Sequence, residues 1–228
     1  MSTIPIHFLN MIIHSYTSGI AGFAANKEKD VSNKNKSFEV TYLGFFIMIL
    51  FYSVHSYYFL YGNNLFLTLF ENINLFRLAD IKESLIWFVL CVFIQILFDT
   101  SLLFYLSRKK NINRINSYQE NKLFIMIIVI CEEISYRLFI LDAGVRIFEN
   151  IPIACCVSAV LYALNHLSII FKTKIKLYWF ASRLLLGLLL SLIALKGGLL
   201  FSILLHYLYN FFINHVIPGY SEKITEKR

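Results

Sequence analysis

The stretch LFIMIIVICEEISYR, residues 123–137, decides the fold of this chain. It begins with an unbroken apolar run, after which come two adjacent carboxylates, Glu132 and Glu133, and then Arg137. Each charge at the centre of a membrane helix costs roughly 2.5–3.5 kcal/mol on insertion scales. Charged residues in such a helix therefore need partners or a function, and the rest of the chain must account for them.

The composition identifies a lipid bilayer as the solvent of this helix. Of the 228 residues, 58% are hydrophobic and only 15% are charged, whereas an average soluble domain is roughly 45–50% apolar. Apolar segments long enough to cross a hydrocarbon core of ~30 Å recur along the chain. We therefore predict an all-α fold, a polytopic transmembrane helix bundle of about six spans. The predicted spans are residues 40–61, 85–106, 123–140, 152–171, 177–195 and 199–217.

Residues that favour helix ends lie where these spans begin and end. They are Asn150 and Pro152 at a helix start, Gly197 and Gly198 at a tight turn, and Pro218 and Gly219 at a helix end. Residues 40–217 are predicted to form the transmembrane domain, with the motif-bearing core in residues 85–217. Residues 218–228 would then be a cytoplasmic tail.

Residues 1–39 are predicted to form an amphipathic segment and a polar linker. In the segment, spacings of three or four residues would gather polar side chains on one helical face, which favours an interfacial helix over a further span. These side chains are His7, Asn10, His14 and Ser18. The linker, around residues 26–37, is too polar to bury a core.

Lysine and arginine residues predict the orientation of the bundle. With six spans, fifteen of these residues would lie on the side of the N-terminus, against four on the other side. We therefore expect a multi-pass protein of the cell membrane with both termini in the cytoplasm. The formal charge of +7 is mostly juxtamembrane, so anionic lipid headgroups are the expected partner, and nucleic acid is not.

Ten polar residues inside the predicted spans need an explanation. They are Gln95, Asp99, Glu132, Glu133, Arg137, Asn165, His166, Arg183, His206 and Asn210. Helix pairing alone would explain some of them. Glu133 and Arg137 are four residues apart and can pair along one helix, and Asp99 and Arg183 are predicted to lie at a similar depth, where they would form another structural pair.

The predicted depths also indicate a functional site. Counted from the cytoplasmic ends at ~1.5 Å per residue, Glu132 lies about 14–16 Å deep, His166 about 8 Å, His206 about 16 Å and Asn210 about 10 Å. Three separate helices would thus bring carboxylates, imidazoles and an amide to the cytoplasmic half of the bundle. Ionisable groups inside a membrane usually face the bundle interior or a wet cavity, and this set is a plausible active site.

Three short motifs then resemble one family. CEEISYR contains EExxxR, YALNH contains an aromatic residue four positions before a histidine, and HYLYN contains HxxxN. In this order, each within a hydrophobic helix, they resemble the intramembrane CAAX protease and bacteriocin-processing family (CPBP, or Abi). The motif residues are Glu132, Glu133, Arg137, Tyr162, His166, His206 and Asn210. Tyr162 departs from the pattern, since the family more often has phenylalanine there.

The resemblance implies a protease that needs no covalent intermediate and no cofactor. Glu132 would be the base that activates a water molecule, with His166 beside it, and Glu133 would be oriented by Arg137. By the same resemblance, the oxyanion that develops in the reaction would be stabilised by two donors. These donors would be His206 and Asn210.

Metal catalysis is the competing mechanism. Two histidines and a carboxylate are a reasonable zinc set, in this chain Glu132, His166 and His206. However, the chain has no HExxH motif, and the amide of Asn210 suits oxyanion donation better than zinc ligation. The sequence therefore favours a metal-free glutamate mechanism.

The substrate implied by the resemblance is a peptide or a small membrane-associated protein. Eukaryotic members cut after prenylated cysteines, whereas bacterial relatives are associated with bacteriocin or signal peptide processing and with self-immunity. The short chain, rich in Asn, Lys, Ile and Phe, fits a bacterial member better. Two alternatives from other classes are an immunity protein that binds a partner without catalysis and a small proton-linked transporter, which is disfavoured because the sequence shows no internal repeat.

Overall fold

The computed structural model describes residues 81–108, 122–166 and 176–215. Every regular element among these residues is helical, so the all-α prediction is confirmed for them. The elements are α1 (Ile81–Arg108), α2 (Lys122–Glu133), the π-helix π1 (Ile134–Leu141), α3 (Asp142–Phe148), α4 (Ile151–Asn165), α5 (Lys176–Gly197) and α6 (Leu199–His215). The predictions for residues 1–39, the span 40–61 and the tail 218–228 lie outside the described residues.

Helix α1 has an apolar outer face and a polar inner face. The outer face exposes large hydrophobic side chains: Ile86, Val89, Phe93 and Leu97. The inner face buries small or polar ones: Ser84, Cys91, Gln95 and Asp99. A soluble helix has the opposite arrangement, whereas a helix whose outer face meets lipid needs apolar groups there and can pair its polar groups inside. The packing thus agrees with a membrane setting.

The described helices support two membrane spans by length and composition, Ile81–Leu102 and Tyr178–Gly197. Two further apolar helices, Ile151–Asn165 and Leu199–Phe212, are shorter than the ~20 residues that a straight span requires. The predicted number of six spans is therefore not confirmed. The fourth predicted span was too long as one α-helix, because α4 ends at Asn165 and His166 is its cap.

The predicted helix boundaries at Asn150 and Gly198 are confirmed. The Asn150 side chain accepts a hydrogen bond from the backbone N–H of Ile153 at 3.1 Å, and Pro152 occupies the first turn. Gly198 separates α5 from α6 with a φ of 95°, a conformation that glycine adopts without steric cost. The two helices are therefore joined by a single residue.

Helix α5 is the central element of the described bundle, because it packs against α1, α4 and α6. Its contact with α4 is closest at Gly187, where an added Cβ atom would lie 2.9 Å from the Cα atom of Ala159. Small residues at such crossings let two helix backbones approach each other. This close approach brings the polar side chains of α4 and α5 together.

The helix that carries EExxxR changes its geometry directly after the two glutamates. Residues Ile134–Leu141 form the π-helix π1, which continues without a break into α3. A π-helix has i→i+5 hydrogen bonds, so each hydrogen-bonded turn contains one residue more than in an α-helix. Such segments are common at functional sites. The change was not predicted from the sequence, and nearly all of π1 is buried, including Arg137.

Candidate active site

The predicted site residues come together inside the bundle. We call them, with the three side chains that connect them, the glutamate–histidine cluster. Its members are Glu132, Glu133, Arg137, Tyr162, His166, Arg183, Ser202, His206 and Asn210. Asn210 is partly buried and the other eight are buried.

Glu132 lies between two imidazole rings from two other helices. Its Oε1 atom is 3.7 Å from Nε2 of His166, at the end of α4, and its Oε2 atom is 3.4 Å from Nε2 of His206, on α6. The structure thus brings the proposed base and both histidines within ion-pair distance. A carboxylate beside two imidazoles can exchange protons with them, because imidazole both accepts and donates protons.

Glu133 has a different set of partners. Its Oε2 atom is 3.3 Å from Nε of Arg137 and accepts a hydrogen bond from the Ser202 hydroxyl. Its Oε1 atom is 2.8 Å from Nδ1 of His206. The predicted Glu133–Arg137 pair is confirmed. Donors from π1 and α6 hold this carboxylate in place, which suits an orienting group better than a mobile base.

Arg137 connects the glutamate helix to α4. Its Nη1 atom donates a hydrogen bond of 2.9 Å to the hydroxyl of Ser158, which in turn donates to the carbonyl oxygen of Tyr136. The guanidinium carbon lies 5.1 Å from the centre of the Tyr162 ring, a cation–π distance. Arg137 therefore fixes both Glu133 and the ring of Tyr162.

Hydrogen-bond partners assign the hydrogen on each ring. His166 Nδ1 lies 2.9 Å from the carbonyl oxygen of Tyr162, and a carbonyl only accepts, so Nδ1 carries the hydrogen. His206 Nδ1 faces the Glu133 carboxylate and carries a hydrogen for the same reason. In the neutral form of each ring, Nε2 is then an acceptor that faces Glu132.

A chain of hydrogen bonds runs from Arg183 on α5 to Glu133. Arg183 Nη1 donates to the Tyr162 hydroxyl at 3.2 Å, and that hydroxyl lies 3.0 Å from Nε2 of His206. A guanidinium can only donate, so the hydroxyl hydrogen is directed to His206. Nε2 of His206 is therefore an acceptor in this network. His206 could act as the predicted donor from Nε2 only if its ring carried a second hydrogen there.

Asn210 is oriented by the same arginine. Arg183 Nη1 donates to Oδ1 of Asn210 at 3.4 Å, which assigns the carbonyl side of this amide to the arginine. The NH2 group is thereby left for another acceptor. This orientation agrees with an amide that donates to a substrate oxygen.

Asp99 and Arg183 lie close enough for their charges to interact, as predicted, but in the described residues they form no direct ion pair. In the described residues Arg183 bonds to Tyr162 and Asn210, while Asp99 accepts from Nε2 of Gln95 at 2.9 Å. A similar depth does not make two side chains face each other, because each helix can be rotated about its own axis. The partner of each side chain depends on how the helices are rotated, which the sequence alone does not predict.

A second buried polar group surrounds Asp99, which we call the aspartate–glutamine cluster. Its members are Gln95, Asp99, Ser182 and Tyr209, and all are buried. Gln95 Nε2 lies 3.3 Å from the hydroxyl of Ser182, which is 2.7 Å from that of Tyr209. The guanidinium of Arg183 lies 5.0 Å from the Tyr209 ring, so the two clusters are adjacent.

Sequence reasoning did not assign a site role to Tyr162, Arg183 or Ser202. The motif includes Tyr162 only as an aromatic residue, and depth predicts Arg183 only as a partner of Asp99. A signal existed for Ser202, because it precedes His206 by four residues, as His206 precedes Asn210, and the three share one face of α6. The direction of the Tyr162 hydroxyl had no such signal, since it depends on an arginine from another helix.

The side chains do not fit the zinc alternative. Within the described ranges, no group of three or more His, Cys, Asp or Glu residues is arranged to hold a metal ion. Of the predicted set of Glu132, His166 and His206, the last uses both ring nitrogens for Glu133 and the Tyr162 hydroxyl. No catalytic step is therefore assigned to a metal.

Comparison with known proteins agrees with the motifs. Residues 122–212 match a family model described as "Type II CAAX prenyl endopeptidase Rce1-like". This range contains every member of the glutamate–histidine cluster. No curated protein and no solved structure matches the chain. Over residues 122–212 the chain is thus similar to the CAAX endopeptidase family, as the three motifs predicted.

Proposed function

We propose that this protein is an intramembrane endopeptidase that hydrolyses a peptide bond with a water molecule activated by Glu132. The observation that carries the proposal is the meeting of one buried carboxylate with two imidazole nitrogens, at 3.7 and 3.4 Å, from two other helices. The family match over residues 122–212 supports the same reaction type. The mechanism we propose is metal-free and needs no cofactor.

The two acceptors around the water would orient it for attack. Ionised Glu132 and neutral His166 both present lone pairs, and a water between them can donate one hydrogen to each. Its own lone pairs then remain available for the carbonyl carbon of the substrate. General-base catalysis of this kind contributes roughly 10²–10⁴-fold to a rate.

The remaining residues would support this step. Glu132 takes a proton from the water as the C–O bond forms, and later gives it to the leaving nitrogen as the C–N bond breaks. Glu133, held by Arg137 and Ser202, keeps the ring of His206 in place. The amide of Asn210 is a donor for the substrate oxygen, which carries negative charge in the tetrahedral intermediate.

We propose a peptide or a small membrane-associated protein as the substrate, cut near the cytoplasmic leaflet. The orientation with both termini in the cytoplasm and the contact of basic loops with anionic headgroups are part of this proposal. The description of the matching family names a prenyl endopeptidase, so a prenylated peptide is the first substrate to test. Processing of a bacteriocin or signal peptide remains a narrower hypothesis.

The experiment uses the full chain in vesicles that contain anionic lipid. Two quenched fluorescent peptides end in the same Cys-aliphatic-aliphatic-X sequence, and only one carries a farnesyl group. We expect wild type to cleave at least one peptide and Glu132→Gln to cleave neither, with mass spectrometry locating the cut. Equal cleavage by Glu132→Gln at equal protein level would refute the proposed base.

A parallel measurement addresses the non-catalytic alternatives. Peptides from cells that express wild type are compared by mass spectrometry with those from cells that express Glu132→Gln. A product found only with wild type supports the endopeptidase. A cellular role that Glu132→Gln fulfils completely would instead indicate a partner-binding protein.

A further inference from the structure

Tyr162 is one of the fully buried residues of the glutamate–histidine cluster. It has no exposed surface, and its ring lies 4.7 Å from that of His166 and under the guanidinium of Arg137. The ring is thus fixed by its neighbours on two sides. Only the position of the hydroxyl hydrogen can change without moving the ring.

The hydroxyl occupies a place where it must act as a donor. Arg183 donates to its oxygen from 3.2 Å, and Nε2 of His206 lies 3.0 Å away on the other side. A donated hydrogen bond polarises the hydroxyl and strengthens its own donation. Glu132 Oε2 lies 3.4 Å from the same Nε2 atom, so the polarised hydroxyl and the proposed base flank one nitrogen.

We propose that the Tyr162 hydroxyl is an oxyanion donor in the endopeptidase reaction. As the carbonyl oxygen of the substrate gains negative charge, the hydroxyl hydrogen turns from His206 Nε2 to that oxygen. Asn210 supplies the second donor. This inference rests on the proposed function and adds to it a catalytic residue, because the hydroxyl would touch the reacting oxygen.

Once Glu132 is protonated, it can replace the hydrogen bond that His206 loses when the Tyr162 hydroxyl turns away. The attacking water gives one proton to the Glu132 carboxylate, and its oxygen bonds to the carbonyl carbon while the π electron pair moves to the carbonyl oxygen. The carboxyl group that results can donate to Nε2 of His206, 3.4 Å from Oε2. One hydrogen bond to His206 replaces another, and Tyr162 is released at the moment when the oxyanion forms.

Arg183 is the positioning residue of this arrangement. Its Nη1 atom reaches both proposed donors, the Tyr162 hydroxyl and the Asn210 amide. It directs the hydrogens of both away from itself. A lysine at position 183 keeps the charge but loses the planar geometry of the guanidinium, so Arg183→Lys is expected to retain part of the activity that Arg183→Met loses.

The first test removes the hydroxyl with Tyr162→Phe and follows cleavage of the peptide that wild type cuts. Loss of one oxyanion donor typically lowers kcat by about 10²–10³-fold, and we expect this loss with KM within about two-fold, since the donor acts only in the transition state. The matched control is Tyr209→Phe. It removes another buried hydroxyl next to Arg183, and we expect it to leave kcat unchanged.

The second test does not depend on the fold of the phenylalanine variant. Fluorotyrosines of increasing acidity at position 162 keep the ring and the hydroxyl and change only its strength as a donor. A kcat that varies steadily along the series supports the inference, and a flat series, or a Tyr162→Phe protein with wild-type kcat, overturns it. Failure of wild type to cleave, or cleavage by Glu132→Gln, would instead overturn the proposed function and this inference with it.

Discussion

The glutamate–histidine cluster and the aspartate–glutamine cluster both bury a carboxylate beside helix α5, but the carboxylates have different partners. Asp99 accepts a 2.9 Å hydrogen bond from the amide of Gln95. Glu132 instead faces Nε2 atoms of two histidines. An amide satisfies a carboxylate and exchanges no proton with it, whereas an imidazole can do both. A buried carboxylate in a membrane helix therefore indicates chemistry only when its partners can move protons.

The family match includes the two clusters to different extents, since Ser182 and Tyr209 of the aspartate–glutamine cluster also lie within it. The matched residues 122–212 include the whole glutamate–histidine cluster, whereas Gln95 and Asp99 lie outside them on α1. The two groups nevertheless touch, through Arg183 and the ring of Tyr209. The aspartate–glutamine cluster thus stands as a structural neighbour against which the proposed active site can be tested.

The largest expected difference between the clusters is in the rate of cleavage. Glu132→Gln is expected to lower kcat by about 10²–10⁴-fold, the usual contribution of a general base. Asp99→Asn removes the other carboxylate with the same change of chemistry and should leave the rate per folded molecule unchanged. Peptide cleavage in vesicles measures both variants. An Asp99→Asn variant as inactive as Glu132→Gln would refute the functional difference between the two clusters.

The next largest effect is on stability, within the glutamate–histidine cluster. Glu133→Gln leaves the buried Arg137 without its ionic partner, which typically costs about 3–5 kcal/mol. We expect an equally large fall in the free energy of unfolding, measured by denaturant titration in detergent micelles. Glu132→Gln, the same substitution one position earlier, is the control and should change stability far less, because its amide can donate to His166. Equal destabilisation by the two variants would contradict the division into a base and an orienting carboxylate.

A smaller effect is expected for the stability of the aspartate–glutamine cluster. Asp99→Asn replaces the carboxyl acceptor of the Gln95 amide with a carboxamide, and a compromised buried hydrogen bond costs about 1–3 kcal/mol. The same titration in detergent should show this loss together with full activity. Unchanged stability would show that the cluster is not needed for folding.

The smallest expected effect is that of metal removal. Exhaustive chelation of the purified protein should leave kcat and KM for the peptide unchanged, because the described side chains are not arranged to hold a metal ion. A chelator already saturated with zinc serves as the control. Activity that is lost on chelation and restored by zinc would refute the metal-free proposal.

Local features of the site were predictable from the sequence. The Glu133–Arg137 pair follows from a spacing of four residues, and the helix start at Asn150 follows from its side chain and the nearby Pro152. The meeting of Glu132, His166 and His206 was predicted from depth and from the family motifs. Each of these inferences uses the sequence of a single helix, or only the depth of a residue along its helix.

The errors and omissions concern how helices are rotated relative to one another. Depth placed Asp99 and Arg183 together, but the faces that carry them point to different neighbours. The hydrogen-bond role of Tyr162 depends on Arg183 from another helix, and π1 departs from the period of 3.6 that sequence patterns assume. Such features arise from packing between helices, which a single sequence does not specify.

The π-helix π1 sets how α2 and α3, the two halves of one long helix, are rotated relative to each other about the helix axis. Helix α2 packs against α6, and α3 packs against α4, with Ile134–Leu141 between them. If this segment were an α-helix of the same length, one half would be turned relative to the other, because a π-helix turns less per residue than the ~100° of an α-helix. With α3 still docked, the two glutamates would swing away from His206. The geometry of Ile134–Leu141, and not only the residue types around it, thus determines whether Glu132 and Glu133 reach His206.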